Sequence, residues 1–236
     1  MAETPRLALP LLAPAQSQKH VTVNEALARL DALTQPVLTG VGTLAPPASP
    51  VEGEMHAIGQ GASGVWSGQD GAIALFLNNG WTYLSPSPGW HAWDASAGIP
   101  LTFDGVDWVP GAGAMSASGA GFLHRTVEID HALTAGPTST VPGAIPADAV
   151  VYGVTGRVLT AIGGAASFDV GVSGSANRYG SGFGTAAGSW MRGITGTPLA
   201  YYSATDLIVT AGGGGFDGAG SLRLAIHFAE LTLPRI

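Results

Sequence analysis

The stretch that decides the fold is Ser221-Leu222-Arg223-Leu224-Ala225-Ile226-His227-Phe228-Ala229-Glu230-Leu231-Thr232-Leu233. Leu222, Leu224, Ile226 and Phe228 fall at every second position, with Arg223 and His227 between them. A period of two sends alternate side chains to opposite faces of a strand. The segment therefore predicts a core strand with one apolar and one polar face. Working back from it, residues 122–129, 138–141, 150–159, 167–173, 190–194, 199–203 and 206–211 are further strand candidates with no helical pattern between them. Eight such strands predict an antiparallel β-sandwich of jelly-roll type over residues 122–236.

Composition agrees with a chain of short strands and tight turns. Of 236 residues, 36 are Gly and 16 are Pro, yet 46% are hydrophobic, enough to bury cores. Only 11% are charged, a balance that suits a protein partly covered in an assembly or working on neutral, hydroxylated ligands. No Lys or Arg occurs between Arg29 and Arg125, and Lys19 is the single lysine. Nucleic-acid affinity rests on phosphate neutralisation, so this distribution argues against it. The absence of Cys excludes disulfides, thiolate metal sites and thiol nucleophiles. No signal peptide is expected, because Pro5, Pro10 and Pro14 interrupt the early apolar run, and no membrane-spanning segment is expected, because no stretch of 18 apolar residues occurs.

Ahead of the sandwich the chain divides further. Residues 1–20 predict an extended arm, biased by their prolines away from helix. Thr22 followed by Glu25 has the form of a capping box opening a helix over 23–35. Val23, Leu27, Leu30 and Leu33 give that helix an apolar side, and Pro36 ends it. Residues 1–36 are therefore expected to be an arm and anchoring helix. Residues 37–112 predict a small β domain with strands at 54–58, 64–68, 72–77, 80–84, 90–94 and 102–109. Asn79-Gly80 and Asp104-Gly105 mark hairpin turns within it. Five of the six Trp residues (66, 81, 90, 93, 108) lie here, next to turns, and suggest aromatic packing. The run Gly113-Ala114-Met115-Ser116-Ala117-Ser118-Gly119-Ala120-Gly121 predicts a flexible linker over 113–121.

Two stretches carry a family likeness. One runs from Leu9-Pro10-Leu11-Leu12 through Gln16-Ser17-Gln18-Lys19-His20-Val21-Thr22-Val23-Asn24-Glu25-Ala26-Leu27 to Leu30-Asp31. The other includes Glu52-Gly53-Glu54, Ala62-Ser63-Gly64-Val65-Trp66, Gly71-Ala72-Ile73-Ala74 and Gly80-Trp81. Together they resemble the DUF2793 family of alphaproteobacterial prophages and gene transfer agents, whose members include head spike (head fibre) proteins. The resemblance covers roughly the first half of the chain. It implies a spike on the head of a phage-like particle, made in the cytoplasm, released by lysis, and binding the capsular polysaccharide of recipient cells. On this view Lys19, His20, Asn24, Glu25, Leu27 and Leu30 would anchor the chain to the capsid or to a second spike protein. A homo-oligomer is expected, a trimer first and a pentamer second. The alternatives are a structural adaptor for another spike protein and a capsule depolymerase.

Sugar recognition needs aromatic platforms and planar polar groups. The candidate set is Asn177, Arg178, Tyr179, Trp190, Arg192, Tyr201, Tyr202 and Asp206, around a Gly-rich segment at 180–184 expected to form a flexible binding loop. Tyr201 and Tyr202 are adjacent, so they should face opposite ways. No cofactor or metal is expected: the six His show no paired ligand spacing. No nucleophile elbow or phosphate-binding loop occurs, and no catalytic residue is assigned.

Overall fold

The computed structural model describes residues 2–13 and 19–236. The chain is mainly β and divides into two compact units, Met1–Ala112 and Gly113–Ile236.

The first unit opens with a hairpin rather than an extended arm. Thr4 N donates to Leu9 O, Leu11 N donates to Ala2 O, and Ala8 takes a positive φ of 52° to turn the chain. Proline's fixed φ suits a turn as well as an extended arm, so Pro5 and Pro10 are compatible with either. The helix α1 spans Lys19–Thr34, so it starts earlier than expected. Thr22 lies inside it and the Thr22/Glu25 capping box does not form; 19–22 contain no Pro or Gly to stop the helix. Residues 14–18, part of the expected arm, lie outside the described residues.

Asp31 joins hairpin and helix. It is 3% exposed, and a carboxylate taken out of water must be fully hydrogen-bonded. Thr4 Oγ1 and Leu7 N donate to its Oδ1 at 2.7 and 2.6 Å, and Arg6 N donates to Oδ2 at 3.1 Å. The Arg6 guanidinium then donates to the carbonyls of Val37 and Gly53 at 2.9 and 3.3 Å, tying the same turn to the sheets.

Two four-stranded sheets follow. Strands β1 (Val37–Leu38), β2 (Gly40–Thr43), β3 (Met55–Ile58), β4 (Ile73–Leu77), β5 (Gly80–Leu84), β6 (His91–Asp94), β7 (Ile99–Phe103) and β8 (Trp108–Pro110) run in the orders β1-β6-β7-β8 and β2-β3-β4-β5. The β4–β5 loop is Asn78-Asn79, both at positive φ, one residue before the expected Asn79-Gly80 turn. Residues 64–68 are not a strand. Gly64–Trp66 makes one 3-10 turn that drops Trp66 into the interior, where it meets Trp81 edge-to-face at 5.0 Å.

The second unit comprises β9 (Ala112–Met115), β10 (Gly121–Ala132), β11 (Thr138–Ile145), β12 (Ala149–Thr160), β13 (Ser167–Gly171), β14 (Trp190–Tyr201), β15 (Thr205–Gly212) and β16 (Ser221–Leu231). Two sheets, ordered β14-β12-β16-β10-β9 and β11-β15-β13, enclose one apolar core. Successive strands from β10 onward alternate between the sheets, as a jelly roll requires. The eighth strand of that pattern is reduced to a bridge between Phe168 and Phe183. The expected linker at 113–121 is ordered: it supplies β9 and a turn in which Ser116 N donates to Ala120 O. Small side chains permit this, since a Cβ at Gly113 would crowd His124 and the Phe122 carbonyl. The two candidates at 190–194 and 199–203 are one strand. It is interrupted where four residues, 195–198, stand opposite Tyr152 alone.

Replacing Asp31 with Ala should lower the urea-unfolding stability of the first unit by about 3 kcal/mol, because three donors lose a charged acceptor. Amide exchange at Arg6 and Leu7 should quicken alongside. In the second unit His131 Nε2 lies 2.7 Å from Ser139 Oγ, and burial pulls the imidazole pKa below its usual 6.5. Below pH 6.5 the unfolded chain takes up a proton that the folded one resists. Stability should therefore fall as pH drops from 6.5 towards the lower folded value, and His131→Gln should flatten that slope in thermal melts.

Candidate functional site

The polar face foreseen for the 221–233 strand is one strip of a built surface. β16 is central, paired with β10 on one side and β12 on the other, and β12 in turn pairs with β14. Register places Trp190, Arg157, Arg223 and Asp130 in one row across four strands. Two residues along, Arg192, Thr155, Ala225 and Glu128 form a second row, and Ile194, Gly153, His227 and Thr126 a third. Their neighbours Met191, Val158, Leu222, Leu224 and Ile226 are buried on the opposite face, so these rows point outward.

A shallow groove of about 430 Å³ lies over the first two rows. Ala225, the smallest side chain in them, opens its floor. Trp190 is 63% exposed and forms one wall, with the Arg192 guanidinium 5.9 Å from its ring centroid. Arg157 donates through Nη1 to Gly188 O at 3.1 Å, which holds the guanidinium beside the tryptophan. On the far wall Arg223 grips Asp130 with two hydrogen bonds of 2.6 and 2.7 Å and lies 3.5 Å from Glu128. The hydrogen bond from Arg223 holds the Asp130 carboxyl below its ordinary range, and the same pair raises the Arg223 guanidinium. His227 braces the floor, with Nε2 2.8 Å from Thr155 Oγ1 and Nδ1 3.1 Å from Thr126 Oγ1.

The structure separates the sugar-binding candidates. Tyr179 is 1% exposed and its hydroxyl meets that of Tyr201 at 2.8 Å inside the core. Burial first, and then this hydrogen bond, push the Tyr179 phenol well above its usual pKa. Neither ring can face a ligand. Tyr202 is exposed, but Tyr201 lies opposite Ala149 while Trp190 lies opposite Arg157. Eight residues along β12 amount to about 26 Å, so Tyr202 is not part of the groove. Asn177 is exposed and Arg178 half-buried on the turn before Tyr179, and Asp206 accepts a hydrogen bond from Gly143 N at 2.7 Å. None of the three lines the groove. The segment at 180–184 is not a flexible loop. Gly182 N donates to Asp169 Oδ1, Phe183 exchanges backbone hydrogen bonds with Phe168, and the two rings pack at 5.5 Å.

Trp190 and Arg192 are thus the two candidates that meet in one site. Arg157, Arg223, Thr155 and Glu128 complete it. Alternation in the 221–233 strand put Arg223 on the polar face, but only the register brings it and Arg157 beside Trp190.

Comparison with known proteins gives a family match ahead of the second unit. A family model described as "Protein of unknown function (DUF2793)" matches residues 23–109. Among solved structures, a chain from "Cyanophage Pam1 capsid asymmetric unit" is 20% identical, with 50% of this chain and 91% of that chain covered and a TM-score of 0.33. No curated protein matches.

The anchoring candidates are spread around α1. Asn24 is paired within the unit, its Oδ1 accepting from Leu12 N and its Nδ2 donating to Leu12 O. His20 and Glu25 line a cleft with Glu3 and Asn78, and Leu27 is half-buried. Leu30 is 59% exposed, on the same side as the exposed Val23. The Lys19 side chain lies outside the described residues. No helix among the described residues is long and apolar enough to cross a membrane.

Tyr179→Phe should cost about 1–2 kcal/mol in denaturant unfolding, since it leaves the Tyr201 hydroxyl unpaired in the core. Gly193→Ala should cost about 3 kcal/mol, because a Cβ there would collide with the Tyr179 carbonyl. Trp190→Ala, at an exposed position, should leave the unfolding midpoint unchanged.

Proposed function

We propose that this chain is a non-enzymatic structural protein on the surface of a phage-like particle, with a C-terminal jelly roll that binds host surface polysaccharide. The observation that carries the reading is Trp190, exposed on a rigid sheet and flanked by Arg192 and Arg157. An aromatic face receives the C–H face of a sugar ring, and guanidinium donors receive its oxygens. The groove is open and shallow, which suits a segment of a long polymer over an engulfed small molecule. Single contacts of this kind are weak, and repeated copies on a particle would raise the avidity.

The DUF2793 likeness over 23–109 supports assignment to a phage or gene transfer agent head spike. The exposed Val23 and Leu30 on α1 offer an apolar patch suited to docking on a capsid or a second spike protein. On this reading the chain is a homo-oligomer, a trimer first and a pentamer second.

A depolymerase would need a protonated carboxyl with a raised pKa facing a second carboxylate. The groove's Asp130 moves the other way, held ionised by Arg223. Among the described residues no cluster of three His, Asp or Glu could hold a metal.

Fluorescently labelled protein should bind encapsulated bacteria of a susceptible strain at least tenfold better than isogenic acapsular cells, and Trp190→Ala should erase the difference. Equal binding to both cell types would sink the reading. Release of oligosaccharides from purified capsule would overturn the non-enzymatic part of it.

A further inference from the structure

We propose that the groove selects carboxylated polysaccharides, such as polymers of uronic acids, over neutral ones. This deepens the polysaccharide-binding reading and rests on it. The argument is how charge is distributed within the groove. Three arginines line it, but they are not equivalent. Arg223 is satisfied by Asp130 and Glu128 on the β10 side. Arg157 and Arg192, on the β12 and β14 side, have no carboxylate partner among the described residues. One wall is thus internally neutralised, and the other presents two unpaired cations to whatever lies on Trp190.

Register makes those two cations convergent. Arg157 stands directly across from Trp190, and Arg192 is two residues further along the tryptophan's own strand. The Arg192 guanidinium lies over one face of the indole, 5.9 Å from its centroid, and Arg157 stands across the strand pair from it, leaving the other face for a sugar ring. The carboxylate of a uronic acid is attached to the ring itself, close to the ring plane. A sugar ring stacked on Trp190 would direct that carboxylate sideways, where a planar guanidinium fork can take it with two hydrogen bonds. Thr155, held by His227, supplies a hydroxyl beside the same position for a ring oxygen.

The background sharpens the selection. The chain carries a formal net charge of −7, so a polyanion has no general attraction to it. The second unit is closer to balance, with six arginines against seven carboxylates, and three of those arginines gather at this groove. Acidic polymer should be drawn to one place and repelled elsewhere.

The test uses the full chain against hyaluronan, alginate and polygalacturonate, each beside its carboxyl-reduced neutral form, by biolayer interferometry. At least one acidic polymer should bind tenfold or more tightly than its reduced form. The double variant Arg157→Gln/Arg192→Gln should remove that ratio while keeping the wild-type melting temperature. Trp190→Ala should lose binding to acidic and neutral forms alike. Equal binding to acidic and reduced forms, or binding confined to neutral forms, overturns the charge selection and leaves polysaccharide binding standing. Binding to none of the polymers overturns the selection, and if encapsulated cells are also not bound the underlying reading falls with it.

Discussion

The second unit depends on the strict alternation of β16. Leu222, Leu224 and Ile226 are fully buried, and Arg223 and His227 between them face outward. The strand is paired on both edges, so its register fixes β10 and β12 at once. A slip of one residue on either side would carry Arg223 towards the core and Leu224 into solvent. The cost of burying an unpaired guanidinium far exceeds the gain from any alternative pairing. Core and groove are therefore set by one pattern: the apolar positions close the sandwich, and the polar positions line the groove.

This explains which parts of the molecule were legible beforehand. Alternation and turn residues are local signals, and they located β4, β5, β6 and the strands of the jelly roll to within a few residues. The segments that differ from expectation carry no such local signal. The prolines of the first hairpin and the small residues of 113–121 are compatible with both ordered and extended states. Long-range partners decide between them: Asp31 for the hairpin, and pairing against β10 for β9. Trp66 reads as a strand residue by composition, yet the room available beside Trp81 and His56 turns its segment into a 3-10 turn.

The site was half legible for the same reason. Trp190 and Arg192 stand out as an aromatic and a cation two apart on one strand. Arg157 and Arg223 are far from them in sequence and join them only through pairing. Tyr179 and Tyr201 were attractive as residue types, and their burial follows from packing between sheets, which no local signal reports. A phenol pair closed on itself satisfies both hydroxyls without water, so these polar aromatics can serve as core.

The four-residue excursion at 195–198 in β14 has an effect on crowding. β14 is an edge strand, and a long unbroken edge would template pairing with another chain. The excursion splits that edge into two short pieces, each with its own register. A second copy of the chain therefore meets no long continuous edge along which to pair. The same excursion projects an exposed tip in which Thr195 Oγ1 donates to Thr197 O, closing it locally. An insertion at this tip would lengthen an exposed turn and leave the pairing of Trp190 with Arg157 in place.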